Sequence, residues 1–109
     1  NRHAVGSAIR TKQGKIYTAV HLETLIGRTA VCAEAIALGK AISEEETEFD
    51  VCVAVRYDEE KNETFVVSPC GMCREMLTDY HSDIKIIVSH DKKLVKCKLM
   101  DLLPMKFSC

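Results

Sequence analysis

Tryptophan is absent from this 109-residue chain, only three tyrosines and three phenylalanines occur, and the formal net charge is -1. Proteins that hold single-stranded nucleic acid combine a basic groove with aromatic side chains on which bases stack. With neither ingredient in quantity, a nucleic-acid polymer is not expected as the main partner. Prolines number two and glycines five, so no flexible or proline-rich linker divides the chain. Long hydrophobic runs are missing too: none approaches the roughly 20 residues that a membrane-spanning helix needs. The opening NRHAVGSAIR is not a secretory signal. These absences lead us to expect a cytoplasmic protein without a membrane partner.

What the chain does have is aliphatic side chain and cysteine. Hydrophobic residues make up 47% of it, enough apolar surface to offset the entropy of ordering a globular fold. A chain this long holds one core and not two, so a single domain over residues 1–109 is expected. Asn1 follows no Met and the sequence enters a strand-like run almost at once. An N-terminal segment is therefore expected to be missing.

Six cysteines could form a disulfide framework, but disulfide-rich domains are poor in aliphatic core. Here Cys52 lies within VCVAVRY and Cys97 within KLVKCKL, both strand-like, and each reads as a small buried hydrophobe. Cys109, at the end of the chain, carries no assignment. Cys32, in TAVCAE, and Cys70 and Cys73, in SPCGMC, form the group that needs a chemical explanation.

The period of the pattern divides the chain. VGSAIR and KIYTAVHL flank TKQG as a hairpin, because the glycine supplies turn freedom and β-branched residues lie to either side. From Thr29 the pattern changes to AVCAEAIALGKAIS, an alanine-rich helix ending before the acidic loop SEEETEFD. VCVAVRY and FVVS read as strands separated by the polar turn DEEKNE. In SPCGMCREMLTDYH, Ser68 is a natural N-cap and Pro69 fits the first helical position, with Met72, Met76 and Leu77 forming an apolar face. IKIIVS is a buried strand, LVKCK an edge-like one, and LMDLLPMKF one helical turn closed by Pro104. Strands alternating with helices predict an α/β fold, a mixed sheet with helices packed on it.

Both cysteine groups fall at helix starts, where unpaired backbone N–H groups and the helix dipole favour thiolate over thiol. Cys70 and Cys73 are three residues apart and share a helix face. If Cys32 joins them, three thiolates surround one Zn2+ per chain. A structural zinc normally takes four protein ligands, whereas a catalytic zinc keeps three and an open position for water. None of His3, His21, His81 and His90 sits in a ligand-like pair with either group, so three ligands is the more economical count. Zinc lowers the pKa of bound water to about 7. Glu34, two residues after Cys32, is then placed to carry that water's proton without ligating the metal. The plainer readings are a redox or structural Cys-x-x-Cys pair, a solvated Glu34, and a zinc-stabilised scaffold without turnover.

C-A-E followed by P-C-x-x-C resembles the zinc-dependent cytidine deaminase superfamily. The likeness covers nearly the whole chain, through VGSAIRTKQG, AVHLETLIGRTAVCAEAIALGKA, FDVCVAVR, VVSPCGMCRE, KLVK and LLP. It implies a three-layer α/β/α fold with a mixed sheet of about five strands and helices on both faces, with the N-terminal helix of the family missing here. By the same resemblance Cys32, Cys70 and Cys73 are zinc ligands and Glu34 is the general acid and base. Backbone groups near Ala33 and Ser68 would hold the cytosine edge. Glu23 matches a sugar-binding carboxylate, and His21 stands where the family has asparagine. The family's arginine after the catalytic glutamate is replaced by Ala35, which leaves Arg74 or Arg28 to offset the thiolate charge. The implied reaction is hydrolytic deamination of the cytosine ring of a nucleoside-type substrate by a homotetramer. The denser part of the likeness favours a cytosine nucleoside antibiotic, and cytidine or deoxycytidine is the alternative.

Overall fold

The computed structural model describes residues 5–22, 31–103 and 105. Its elements run β1 (Val5–Thr11), β2 (Ile16–Val20), α1 (Ala33–Ser43), β3 (Phe49–Asp58), β4 (Glu63–Val67), α2 (Gly71–Tyr80), β5 (Lys85–His90), β6 (Lys93–Lys98) and a 3-10 helix at Leu99–Leu102. The predicted hairpin is present. Gly14 takes φ +97°, a conformation that favours glycine. The Lys15 N–H donates to Thr11 Oγ1 at 3.2 Å and fixes the turn.

One six-stranded sheet runs in the order β2-β1-β3-β5-β6, and β4 also pairs with β3. On the edge away from β1, β3 serves two neighbours because it is long. Val51–Val53 run parallel to β5, while Ala54–Asp58 pair antiparallel with β4. The expected sheet of about five strands is thus a five-strand path with β4 as a sixth strand, and the α/β class holds.

The core forms where strand register meets the helices. Ile9 lies opposite Cys52, and Cys52 lies beside Ile86. All three are buried in one cluster with Ala37, Leu38 and Ala41 of α1, Leu77 of α2, and Phe49, Ile84 and Leu99. Alanine is the strongest helix former, and at Ala37 and Ala41, both 0% exposed, it also lets α1 approach the sheet closely. Both α-helices therefore cover the same face. Across the sheet, Ala8, Val53 and Ile87 share the opposite face, bordered by the Arg10–Asp50 ion pair. The described residues provide no helix there, so the second helical layer of the expected sandwich does not come from them. No helix among the described residues is long and apolar enough to cross a membrane.

Two local expectations change. α2 begins at Gly71 with Cys70 as its N-cap, two residues later than a Ser68 cap would place it. The Ser68 hydroxyl instead accepts a hydrogen bond from Arg74. The last helical turn is a 3-10 helix, and Pro104, expected to close it, lies outside the described residues.

Cys52 is 3% exposed and reads correctly as a core residue. Ser7 Oγ donates to the Val53 carbonyl at 2.9 Å and lies 3.5 Å from Cys52 Sγ. Burial pushes the Cys52 pKa from 9.0 up to about 11, against a smaller lowering by Ser7. A folded-state pKa above the unfolded one gives stability that is complete below about pH 9 and is lost as pH rises toward 11. A shift of two units corresponds to about 3 kcal/mol. Thermal melts from pH 8 to 11 should therefore show the wild type losing about that much more stability than Cys52→Val. Parallel pH profiles for the two proteins would contradict the assignment.

Candidate active site

Each of the two helix starts delivers cysteine in extended backbone. Cys32 caps α1 at φ -68°, ψ 147° and Cys70 caps α2 at φ -68°, ψ 167°, and neither side chain makes a capping hydrogen bond. Their sulfurs are left for other work. The backbone near Cys32 is fixed by a two-way bridge: Leu22 N–H donates to the Val31 carbonyl at 2.8 Å, and Val31 N–H donates to the Leu22 carbonyl at 2.9 Å. This pairing sets His21 and Cys32 on either side of one short ladder. On the opposite wall, β4 ends at Val67 and leads directly into Ser68–Cys70. Cys73 follows on α2, 2% exposed.

The three sulfurs lie within 4.8 Å of one another, and among the described residues no fourth His, Cys, Asp or Glu joins them. Tetrahedral zinc with Zn–S bonds of about 2.3 Å requires sulfurs about 3.8 Å apart, so this donor set fits one zinc with a coordination position to spare. As thiolates the cluster is electrostatically costly. Burial raises Cys32, with hydrogen bonding to Cys73 opposing it. Burial and the charge of Glu34 push Cys73 far up. At Cys70 burial also raises the pKa, but the Cys73 backbone N–H and the neighbouring thiols outweigh it and the net shift is downward. A divalent cation would turn this mutual repulsion into binding energy.

Glu34 sits in the first turn of α1, is 5% exposed, and acts electrostatically on all three cysteines. It lines a cleft of about 430 Å³ together with His21, Ala33, Ser68, Cys32 and Cys70, a volume in the range of small-molecule sites. The His21 ring is held at the rim, where Val5 N–H donates to Nδ1 at 3.2 Å. The structure thus brings Cys32, Cys70, Cys73, Glu34, Ala33, Ser68 and His21 together. Glu23 and Arg28 lie outside the described residues. Arg74 is close by but directed elsewhere: its guanidinium donates to Pro69 O, Ser68 Oγ and Leu102 O. Ala35 borders a second cavity of about 410 Å³ behind Cys32 and Cys73.

Met72 was expected in the core but is 77% exposed and lines the cleft. Leu22 and Val31 also line it, and both went unnoticed in the sequence. Their only signal in the sequence is that they stand next to Glu23 and to the zinc motif, which a strand pattern absorbs without trace.

Three cysteine sulfurs from two helix starts beside a buried carboxylate form a donor set suited to a hydrolytic zinc, and its relatives make the chain a zinc-dependent aminohydrolase. The model of the cytidine and deoxycytidylate deaminase zinc-binding region matches residues 1–90, and the chain belongs to that family. It is 50% identical to the blasticidin-S deaminase of Bacillus cereus over 99% of this chain and 79% of that protein. A probable cytidine deaminase of Dictyostelium discoideum is 32% identical over 95% of this chain and 68% of its own length. Among solved structures, cytidine deaminase from Bacillus anthracis superposes with TM-score 0.83 at 25% identity, covering 94% of this chain and 74% of that one.

Metal analysis of the purified protein should find one zinc per chain. Because the three thiols must lose their protons to bind, affinity should fall as pH is lowered. Cys32→Ser, Cys70→Ser and Cys73→Ser should each lose zinc at a chelator concentration that leaves the wild type loaded. Retention of full zinc by any one of them would remove that residue from the ligand set.

Proposed function

We propose that the protein hydrolyses the C4 amino group of the cytosine ring of blasticidin S, with water replacing the amino group as a carbonyl oxygen and ammonia leaving. The observation that carries this reading is the 50% identity to a blasticidin-S deaminase over nearly the full chain. Cys32, Cys70 and Cys73 would hold the zinc, whose chemistry when bound would be to acidify a water to near neutrality. Glu34 is placed to take one proton from the attacking water and pass it to ring N3, then to take the second proton from the oxygen newly bonded to C4 and deliver it to the amino nitrogen, which leaves as ammonia. Its burial beside the cysteines suits this work, since a carboxylate shielded from bulk solvent exchanges protons with the substrate and not with the medium. Backbone groups at Ala33 and Ser68 hold the cytosine edge and amino group. Glu23 and His21 are assigned to the sugar side of the substrate, Glu23 by its match to the family's sugar-binding carboxylate. Arg28 remains the candidate for a cation near the thiolates.

Cytidine or deoxycytidine is the second reading. It is favoured by the cytidine deaminases among the relatives and opposed by His21 in place of the family's asparagine. An inactive zinc scaffold is opposed by Glu34 in the cleft. We place the protein in the cytoplasm as a single domain over 1–109 that assembles as a homotetramer. The exposed apolar rim of Leu22, Val31 and Met72 supports a neighbouring subunit at the cleft.

The test is difference absorbance with blasticidin S, cytidine and deoxycytidine in parallel. Blasticidin S should turn over with much higher kcat/KM than the other two. Glu34→Gln should retain zinc and lose roughly 10²–10⁴-fold in kcat. Equal efficiency on cytidine would transfer the protein to nucleoside salvage, and an active Glu34→Gln would remove Glu34 from the mechanism.

A further inference from the structure

We propose that Arg74 is the positioning residue of the metal centre: its guanidinium holds Ser68–Cys70 in ligating geometry and fastens that segment to the C-terminal 3-10 helix. It acts on the metal through Cys70 and touches no sulfur. The proposal rests on the reading of Cys32, Cys70 and Cys73 as zinc ligands.

Of the three cysteines, Cys70 has the weakest intrinsic restraint. Cys73 is buried within α2, and Cys32 follows directly on the Leu22–Val31 bridge. Cys70 is exposed, and it ends a three-residue stretch that is neither helix nor strand. A ligand in irregular backbone must be held in place by its surroundings, or the metal has to supply the ordering.

Arg74 supplies that hold with every part of its donor set. Its main-chain N–H donates to the Cys70 carbonyl at 2.9 Å. Nε donates to the Pro69 carbonyl at 2.9 Å, Nη2 to Ser68 Oγ at 3.0 Å, and Nη1 to the Leu102 carbonyl at 3.2 Å. Three nitrogens thus reach three residues, a pattern that needs the rigid planar fork of arginine; a lysine ammonium is a single point and cannot span it. Pro69 O belongs to the same peptide unit as Cys70 N–H. Drawing charge onto that oxygen also strengthens Cys70 N–H as a donor at the helix start.

The far end of the clamp is anchored in the core. Leu99, at the start of the 3-10 helix, is 0% exposed, and its N–H donates to the Ile84 carbonyl at 3.0 Å. Arg74 therefore ties the most exposed ligand to a 3-10 helix whose first residue, Leu99, is buried in the core. It bridges 28 residues of sequence to do so.

The experiment titrates metal-free protein with Co2+, reading the thiolate charge-transfer and d–d bands, and measures zinc affinity by chelator competition. Wild type, Arg74→Lys, Arg74→Gln and Ser68→Ala are compared, with circular dichroism as the check on folding. Wild type should show a three-thiolate cobalt spectrum. Both Arg74 variants should bind zinc about 10–100-fold more weakly, with shifted d–d bands and a fall in kcat that exceeds any change in KM. Ser68→Ala removes one leg of the clamp and should move the same readouts in the same direction by less. Wild-type affinity and spectrum in Arg74→Lys would overturn the proposal, because charge alone would then suffice. Unchanged affinity in all folded variants would overturn it as well. Should Arg74→Gln fail to fold, Arg74→Lys and Ser68→Ala still decide the matter. A wild type without a thiolate cobalt spectrum would sink the metal reading itself, and this inference with it.

Discussion

Three sulfur atoms within 4.8 Å of one another are the constraint on which the rest of this molecule depends. As thiolates they are poorly placed, because burial raises Cys32 and Cys73 and each thiolate opposes the next. In their ionised form the three sulfurs suit a shared cation. The repulsion that weakens the cluster without metal is the same quantity that strengthens metal binding. Glu34, buried close to the cysteines, adds to it.

Sheet topology creates this convergence. Because β3 pairs with β5 along one half and with β4 along the other, the end of β4 is brought beside Ala54 and the start of α1. Both helices then pack on the same face over Ile9, Cys52 and Ile86, and their N-termini meet at one cleft. Alanines at 33, 37 and 41 let α1 lie close enough to the sheet for Cys32 to reach Cys70 and Cys73. The core and the site are one design: a bulkier residue at Ala37 would lift α1 and widen the sulfur triangle.

Much of this was legible in the sequence because it is local. The hairpin around TKQG, the helix over AVCAEAIALGKAIS and the strand-like setting of Cys52 each follow from period, turn residues and propensity within about ten residues. The three cysteines and Glu34 were legible because a ligand at a helix start leaves a short motif. What escaped is non-local. Ser68 has the chemistry of an N-cap, but its hydroxyl is taken by Arg74. Met72 has the spacing of a core residue, but its turn of α2 faces the cleft. Arg74 looked like a thiolate partner; its strongest commitments are to carbonyls, and that of Leu102 lies too far along the chain for any pattern to reveal. The Leu22–Val31 bridge is invisible for the same reason, since backbone pairing of two isolated residues has no side-chain signature.

The central claim is three protein thiolates with one position left open, and X-ray absorption at the zinc edge of the isolated protein measures this directly. The account predicts three sulfur scatterers at about 2.3 Å and one lighter atom at about 2.0 Å. Four sulfurs, or imidazole scattering in the outer shells, would close the open position and contradict the hydrolytic centre described above.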